Sequence, residues 1–336
     1  MIFKTYNSIE NAYQARVIDQ IKVQGFGDEV FIVQEKVHGA NFSFFTDGEK
    51  IQIGKRTGFI QKDEKFFNAH EILEQYRTRV LDVFREIKTI FLEMETIVIY
   101  GEIFGGDYQH ADVEAIPGAV KVQKGIQYAP YNEFYAFDIK LNEVTYLDTQ
   151  LINEIFEKAG FFYAKTLFQG SLEDCLRYSN IFNSQIPDWL GLPEVEDNIC
   201  EGTIIKTLKT KYFGNGSRVI LKNKNEKWTE KSKKVKKLKI YKEVHFSEQA
   251  QEIWEEIQRY ITANRLYTVM SKIGEFEPEM MGKVTGIFVK DVLEDFEKDF
   301  PESFTVIEKE EQKRINKKLN SLVIQCIKEE LMTIKV

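Results

Sequence analysis

The sequence predicts an α+β protein with a strand-rich body and a small all-helical C-terminal domain. Short apolar or alternating runs, typical of strands, dominate from Phe31 to about Lys224. After Lys242 the apolar residues recur at three- and four-residue spacing, which is typical of amphipathic helices. Because the two patterns occupy separate parts of the chain, we expect an α+β body followed by a helical tail.

The individual elements follow from local patterns. The predicted strands are FIVQEK, NFSFFT, KIQIGKR, TIVIYGEIF, EFYAFDIK, GTIIKT and SRVILKNK. The predicted body helices are FNAHEILEQYRTRVLDVFREIKTIF and LDTQLINEIFEKAG, the second ending at Gly160. The predicted tail helices are SEQAQEIWEEIQRYITANRLYTVMSKIG, KVTGIFVKDVLEDFEKDF and EKEEQKRINKKLNSLVIQCIKEELMTI. Residues 109–132 and 170–198 match no motif and are expected to be loops.

A lysine-rich stretch separates body from tail. It reads KNKNEKWTEKSKKVKKLKIYK and contains very few acids. We expect a body at 1–235, a basic linker at 225–242 and a helical domain at 243–336. The stretch is either a solvated linker or a stripe that binds phosphates, and the run alone leaves both open.

Composition sets the broad class of the protein. The 336 residues are 43% hydrophobic and 29% charged, which suits a globular chain with a sizeable core. No apolar run is long enough to span a bilayer, and the start lacks the layout of a signal peptide. The three cysteines form no CxxC pair, which argues against a zinc module and a disulfide framework. We expect an intracellular, by default cytoplasmic, monomer with no membrane partner. The net charge of −7 argues weakly against nucleic-acid binding, but a local basic surface decides that question.

Lys36 stands at the corner between two predicted strands, in FIVQEKVHGANFSFF. A lysine there loses solvation and side-chain freedom, so either it extends to water or its amine is used. The Lys-x-x-Gly pattern occurs five times in this chain, so spacing alone does not select Lys36. A lysine activated by desolvation or nearby cations can attack a carbonyl or a phosphorus.

Neighbouring features favour phosphorus. Arg56, in KRTG, places a cation beside a glycine turn, and Lys222 and Lys224 are two apart on a predicted strand and so share a face. Glu102 and Glu201 adjoin glycine, where a ligand can approach the backbone, and a carboxylate can hold Mg²⁺ or accept a ribose hydroxyl. Each feature alone is commonly an exposed polar residue with no function, but together they indicate phosphoryl transfer.

Taken in order, these motifs resemble the RNA ligase 2 family, which includes phage double-strand RNA ligases and kinetoplastid RNA-editing ligases. EKVHGANFS resembles its nucleophile motif, and KRTG, YGEIFGG, FYAFDI, EGTIIKT and VILKNK resemble the motifs that follow. TANRLYTVMSKIGE, GKVTG and VKDVLED resemble its helical C-terminal domain. The resemblance implies an antiparallel-sheet, ATP-grasp-like nucleotidyltransferase core, here an adenylyltransferase, with an all-helical C-terminal domain.

The resemblance also implies an activity. It implies an ATP-dependent RNA ligase that uses Mg²⁺ or Mn²⁺ and passes through lysyl-AMP and RNA-adenylate. The implied partner is a nick with a 3′-hydroxyl and a 5′-phosphate in duplex RNA or an RNA/DNA hybrid.

The resemblance assigns roles to particular residues. Lys36 would be the nucleophile, and the other implied catalytic residues are Lys222, Lys224 and Glu201. The implied nucleotide contacts are Glu35, Arg56, Glu102, Phe137, Lys222 and Lys224. The implied metal contacts are Glu201 and Asp138. The implied RNA contacts are His38, Asn41, Phe66, Phe67, Arg265 and Asp291.

Three alternatives stay open at this point. A DNA ligase or an mRNA capping-type enzyme typically carries Asp where this chain has His38, and the helical tail also argues against both. A non-catalytic nucleic-acid-binding relative would not be expected to retain Lys36, Glu201, Lys222 and Lys224 together.

Overall fold

The computed structural model describes residues 1–231 and 246–334. The chain divides into two compact units, Met1–Lys227 and Trp228–Val336. The first unit combines helices with largely antiparallel sheets and the second is helical, so the predicted α+β class with a helical C-terminal region is confirmed.

The division between the units falls inside the predicted basic linker of 225–242. Residues 232–242 of that linker lie outside the described residues.

The first unit contains two sheets. Its strands are β1 (Glu10–Asn11), β2 (Phe31–Glu35), β3 (Ala40–Thr46), β4 (Ile51–Lys55), β5 (Gly58–Phe59), β6 (Ile97–Asp107), β7 (Ala129–Leu141), β8 (Thr145–Tyr146), β9 (Thr166–Gly170), β10 (Gly202–Thr207) and β11 (Ile220–Lys224). One sheet has the order β1-β11-β10-β2-β9 and the other β5-β4-β3-β6-β7-β8. Neighbouring strands are antiparallel except for the short parallel pair β1 and β11.

Helices cover both sheets. In the first unit they are α1 (Ala15–Val23), α2 (Ala69–Ile90), α3 (Thr149–Lys158), α4 (Leu172–Arg177) and α5 (Ile186–Trp189), and a 3₁₀ turn at Glu226–Trp228 follows β11. The helices α2 and α3 pack on the six-stranded sheet, and α1 and α4 pack on the five-stranded sheet.

The continuous apolar run in β3 has a structural reason. Phe42 and Phe44 point into the core beneath α2, and the ring centroids of Phe44 and Phe134 lie 4.9 Å apart. Phe45 points to the opposite face, where it packs with Val98 and Tyr100. Because both faces of the strand are buried, the sequence lacks polar alternation.

The second unit is built from four described helices. They are α6 (Glu248–Gln258), α7 (Ala263–Ile273), α8 (Met281–Asp299) and α9 (Lys309–Ile334). The tail segment expected to be one helix is two, because the hydroxyl of Thr262 accepts from the Arg265 amide and begins a new helix there.

The two segments expected to be loops differ from each other. Residues 170–198 include α4 and α5, so that expectation was wrong in part. The hydroxyl of Ser171 accepts from the Asp174 amide and begins α4, a cap too local for apolar periodicity to reveal. Of the predicted loop 109–132, residues 109–128 contain neither helix nor strand, but residues 129–132 begin β7, so this expectation too was wrong in part.

A search of the described residues finds no helix that combines the length and the apolar character needed to cross a membrane.

Candidate active site

The register of three strands brings Lys36, Glu201 and Lys224 together. Glu35 pairs with Thr203 across β2 and β10, and the Lys36 amide donates to the Gly202 carbonyl at 3.0 Å. Gly202 in turn pairs with Lys224 across β10 and β11. Residues distant in sequence therefore meet at one end of the five-stranded sheet.

The Glu201 carboxylate is shared between two amines. Lys36 Nζ lies 2.6 Å from Glu201 Oε2, and Lys224 Nζ lies 2.8 Å from Oε1. Glu201 is buried, whereas the side chains of Lys36 and Lys224 keep 17% and 13% of their surface exposed. The carboxylate thus fixes two amines that stay partly accessible to solvent.

The charges at this centre reinforce one another. Burial would raise the pKa of Glu201, but the ammonium groups of Lys224 and Lys36 outweigh it and hold the pKa well below its usual range. His38 Nδ1 lies 3.6 Å from Glu201 Oε2, and the His38 amide donates to the Tyr128 hydroxyl at 2.9 Å. His38 therefore belongs to the same cluster.

Lys222 lies two residues before Lys224 on β11, opposite Ile204 of β10. Side chains two apart on a strand project to the same face, so Lys222 and Lys224 line one side of the sheet, as predicted from their spacing.

The six-stranded sheet contributes Glu102 and Asn41, which stand directly opposite each other on β6 and β3. Glu102 Oε2 accepts from the Gly39 amide at 2.8 Å. A Cβ on Gly39 would lie 2.4 Å from the Ile103 carbonyl oxygen, so only glycine permits this approach. Burial raises the pKa of Glu102, and the Lys36 ammonium opposes that rise.

A β-bulge presents Phe137. Tyr100 pairs with Asp138 but the next residue, Gly101, pairs with Ala136, so Phe137 is the extra residue in β7. Its partly exposed ring packs edge-on against Tyr6, with centroids 5.0 Å apart.

Arg56 contacts the N-terminal segment that also packs against Phe137. Its guanidinium donates to the Tyr6 carbonyl oxygen and lies 3.5 Å from Ser8 Oγ. The predicted nucleotide contacts Arg56 and Phe137 thus both adjoin Tyr6.

Asp138, which was predicted to contact a metal, is surrounded by hydrogen-bond donors and cations. Arg218 binds its two oxygens at 2.7 and 3.0 Å, Lys206 Nζ lies 3.2 Å from Oδ1, and the Tyr6 hydroxyl donates to Oδ2 at 2.5 Å. Burial would raise the pKa of Asp138, but Arg218 and Lys206 lower it to about 2. Donors thus engage both oxygens of this buried carboxylate, and its contact with a metal stays a prediction.

The buried side chain of Glu35 contacts the residues just before α5. Its carboxylate accepts from Ser184 Oγ at 2.6 Å and from the Gln185 amide at 2.8 Å. Burial raises the pKa of Glu35 to about 7, although both hydrogen bonds lower it. In this placement the Glu35 side chain ties the end of β2 to the segment before α5, and a contact with adenine stays a prediction.

Phe66 and Phe67 lie in the hydrophobic core, with 2% and 5% of their surface exposed. Their rings contact each other at 5.1 Å, and Lys55 Nζ lies 5.5 Å from the Phe66 centroid. The predicted RNA contact would require these rings to become exposed.

Arg265 and Asp291 lie in the second unit and pair with each other, Arg265 Nη1 being 3.0 Å from Asp291 Oδ2. Arg265 is 1% exposed, so the predicted RNA contact would require its side chain to become accessible.

Sequence reasoning missed the buried partners of the site. These partners are Arg218 and Lys206, which pair with Asp138, Tyr128, which accepts from the His38 amide, and Ser184, which donates to Glu35. Lys206 is the last residue of the EGTIIK motif, so that motif could have identified it. The others carry no periodicity or spacing that would have singled them out.

Glu201 was predicted to contact a divalent metal, and here Lys36 and Lys224 bind its two oxygens. The described part of the chain holds no group of three or more histidine, cysteine or carboxylate side chains that could enclose an ion. Mg²⁺ commonly takes only one or two protein carboxylates, with substrate phosphates and water completing its shell. A single carboxylate such as Glu201 would suit that mode, and its metal contact stays a prediction.

Comparisons with known proteins show which family this chain resembles. Residues 29–224 match the RNA ligase family, and residues 242–325 match the C-terminal domain family of T4 RNA ligase 2. The mitochondrial RNA-editing ligase 2 of Trypanosoma brucei brucei is 30% identical, over 89% of this chain and 84% of that protein. The mitochondrial RNA-editing ligase 1 of Trypanosoma brucei brucei is 27% identical over 62% of this chain and 50% of that protein.

Among solved structures, a Naegleria gruberi RNA ligase variant with ATP and Mn is similar with a TM-score of 0.47 and 15% identity. The match covers 68% of this chain and 58% of that one. On the family matches and the relationship to RNA-editing ligase 2, the chain belongs to the RNA ligase 2 family of RNA ligase enzymes.

Proposed function

We propose that this protein is an ATP-dependent RNA ligase that seals a 3′-hydroxyl to a 5′-phosphate at nicks in duplex RNA or RNA/DNA hybrids. One observation carries the proposal: Lys36 Nζ and Lys224 Nζ are held by opposite oxygens of the buried Glu201 carboxylate. An amine nucleophile fixed beside cations is the arrangement that transfer of a nucleotide to lysine needs.

In the first step Lys36 Nζ attacks the α-phosphorus of ATP. The Nζ–P bond forms, the bond from the α-phosphorus to the bridging oxygen breaks, and pyrophosphate leaves. Glu201 orients Lys36 before the attack, and Lys222 and Lys224 stabilise charge on the α-phosphate. Lys36 must release a proton before it can attack, since its ammonium form is not a nucleophile.

The surrounding residues hold the nucleotide. The partly exposed ring of Phe137 offers a face for adenine stacking, and Glu102 offers an acceptor for a ribose hydroxyl. Arg56 supplies a planar guanidinium suited to phosphate. Glu201 would contact Mg²⁺ or Mn²⁺, and the metal when bound neutralises phosphate charge.

The RNA steps follow the same logic. AMP passes from Lys36 to the 5′-phosphate, and the neighbouring 3′-hydroxyl attacks the activated phosphorus and releases AMP. His38 and Asn41 adjoin Lys36 and Glu102 and are the residues we assign to handling of the RNA end.

The test is covalent labelling with α-labelled ATP and a divalent metal, followed by a denaturing gel. We expect wild type to retain the label and Lys36→Ala to lose it. Lys22→Ala is the matched control, because Lys22 belongs to another Lys-x-x-Gly pattern on the exposed face of α1 and should label like wild type.

Further assays distinguish the RNA ligase from a capping-type enzyme, a DNA ligase and a binding protein. Labelling by GTP in preference to ATP would indicate a capping-type enzyme, and sealing of DNA nicks in preference to RNA nicks would indicate a DNA ligase. Folded wild type that was stripped of bound AMP with pyrophosphate and still takes no label would refute the ligase and support a binding protein.

A further inference from the structure

The turn that carries Lys36 is held through its backbone. The Lys36 amide donates to a carbonyl of β10, and the Gly39 amide donates to a carboxylate of β6. Between them the His38 amide donates to the hydroxyl of Tyr128 at 2.9 Å. Tyr128 lies just before β7, outside every motif recognised in the sequence. One of the three partners of this turn is thus a side chain that the motifs do not include.

Tyr128 is well suited to hold the turn. Its side chain is completely buried, and its ring packs edge-on against Phe104 with centroids 5.4 Å apart. A ring enclosed in a close-packed interior has little freedom to move. The hydroxyl of Tyr128 therefore offers the His38 amide an acceptor at a fixed place.

Asn198 fixes the backbone next to Tyr128. The Gln127 amide donates to Asn198 Oδ1 at 2.8 Å, and Asn198 Nδ2 donates to the Gln127 carbonyl at 2.7 Å. These two bonds resemble the pairing of residues on neighbouring antiparallel strands. Because Asn198 is itself buried, its carboxamide holds the chain before Tyr128 as a strand neighbour would.

The backbone of Asn198 supports the other side of the nucleophile. The Ser184 amide donates to the Asn198 carbonyl at 2.9 Å, and Ser184 Oγ donates to the Glu35 carboxylate at 2.6 Å. Glu35 directly precedes Lys36, and His38 follows it by two residues. Asn198 thus joins the supports on both flanks of the nucleophile.

We propose that Tyr128 and Asn198 are positioning residues for the nucleophile, which gives a role to the two segments that match no motif. The proposal rests on the ligase function proposed above. Tyr128 acts through the His38 amide, and Asn198 acts through Tyr128. Together they keep Lys36 where its amine can reach the α-phosphorus of ATP. Because a misplacement of about 1 Å can cost about 10²-fold in rate, loss of this support should slow the attack.

Two variants remove the hydrogen bonds one at a time. Tyr128→Phe deletes only the hydroxyl and leaves the ring against Phe104. Asn198→Ala deletes both bonds to Gln127 and leaves the backbone carbonyl that accepts from Ser184. Both residues are buried, so neither variant removes a group exposed to ATP or RNA.

Tyr76→Phe is the matched control. Tyr76 lies on α2, is completely buried like Tyr128, and donates its hydroxyl to Glu133 at 2.7 Å. This variant also loses one buried hydrogen bond of a tyrosine hydroxyl, but not one that holds the Lys36 turn. It therefore reports what a general loss of stability does to the reaction.

The measurements use the full chain: hydrogen exchange of the His38 amide, and the rate constant and KM for ATP in lysyl-AMP formation. We expect Tyr128→Phe and Asn198→Ala each to speed the exchange. Each should slow lysyl-AMP formation at saturating ATP about three- to tenfold, the scale of one lost hydrogen bond. The KM should stay within about twofold of wild type, because the nucleotide contacts remain. Tyr76→Phe should leave the exchange, the rate constant and the KM unchanged.

The double variant of Tyr128→Phe and Asn198→Ala tests whether the two residues act by one route. If both act through the His38 amide, the double variant should be no slower than the slower single variant. Two independent defects would instead multiply, and that result would overturn the shared route.

The proposal is refuted if Tyr128→Phe leaves either the exchange or the rate constant unchanged, or if Tyr76→Phe slows lysyl-AMP formation equally. A rise in KM that accounts for the whole loss would assign Tyr128 to nucleotide binding and also refute positioning. If Tyr128→Phe does not fold, Asn198→Ala decides by the same measurements. Absence of lysyl-AMP in wild type would overturn the ligase instead, and exchange at His38 would still show whether Tyr128 holds the turn.

Discussion

At the scale of single residues, the first unit uses buried charge in two distinct ways. Glu201 holds amines that stay partly exposed to solvent, whereas Asp138 holds Arg218 and Lys206, which are themselves buried. The first arrangement leaves amines that can react or bind a ligand, and the second stabilises the buried core. The difference lies in the exposure of the cations, which motif spacing does not report.

Asp138→Asn should destabilise the protein by about 3–5 kcal/mol, because it leaves two buried cations without their counter-charge. The folded pKa of about 2 lies below the unfolded value, so this stabilisation is present above the unfolded pKa of about 4 and is lost as the pH falls towards 2. Denaturant unfolding of both proteins at several pH values measures it. Asp82→Asn, in an exposed pair with Arg85, is the control and should stay within about 0.5 kcal/mol of wild type. Equal stabilities for Asp138→Asn and wild type at neutral pH would contradict the assignment.

Glu35 should produce the opposite pH dependence. Its folded pKa of about 7 exceeds the unfolded value, so the folded state binds the extra proton and its stability falls as the pH rises through that interval. Relative to wild type, Glu35→Gln should gain up to about 3 kcal/mol between pH ~4.5 and pH ~7 and then level off. Unfolding free energies of the two proteins across this range give the difference. A difference that does not vary with pH would show that Glu35 does not titrate there.

At the scale of elements, two departures from regular strand geometry shape the site. The bulge in β7 exposes one face of Phe137 while Asp138 beside it stays buried. At Gly202 a Cβ would lie 2.1 Å from the Asn223 carbonyl oxygen, so glycine lets β10 and β11 approach closely beside Glu201.

Because the bulge leaves Phe137 partly exposed, we expect Phe137→Ala to weaken ATP binding. Loss of a stacking ring is worth about 1–3 kcal/mol, so the KM for ATP in lysyl-AMP formation should rise roughly 5- to 150-fold. Phe168→Ala, which truncates a partly exposed phenylalanine on β9, should leave the KM unchanged. An unchanged KM in Phe137→Ala would show that adenine does not stack there.

At the scale of the whole molecule, an acidic chain is proposed to bind a polyanion. The net charge of −7 opposes RNA at long range, so binding must come from local cations such as those beside Glu201. Not every lysine of the basic run is available for this, because Lys231 binds Glu256 and Lys227 donates to the Gly125 carbonyl.

Binding of a nicked RNA duplex should therefore depend strongly on salt. Release of counterions from several phosphates predicts a loss of about 10³-fold in affinity between about 50 and 200 mM salt. Titration of labelled nicked duplex at several salt concentrations measures the slope. An affinity that is flat with ionic strength would exclude a phosphate-binding surface.

The sequence by itself determined the α+β class, the positions of the principal strands and helices, and the Lys36, Glu201 and Lys224 motifs, because these depend on local periodicity and on residue type. Tertiary structure alone decided which charges meet. Asp138 and Arg265 lie in motifs yet are enclosed, since Arg218 in one case and Glu230, Asp291 and Asp295 in the other come from distant parts of the chain. Phe66 and Phe67 were likewise assigned to RNA but are buried in the core. The physical reason is that burial and the pairing of charges are properties of the packed chain, whereas a motif records only residue type and spacing.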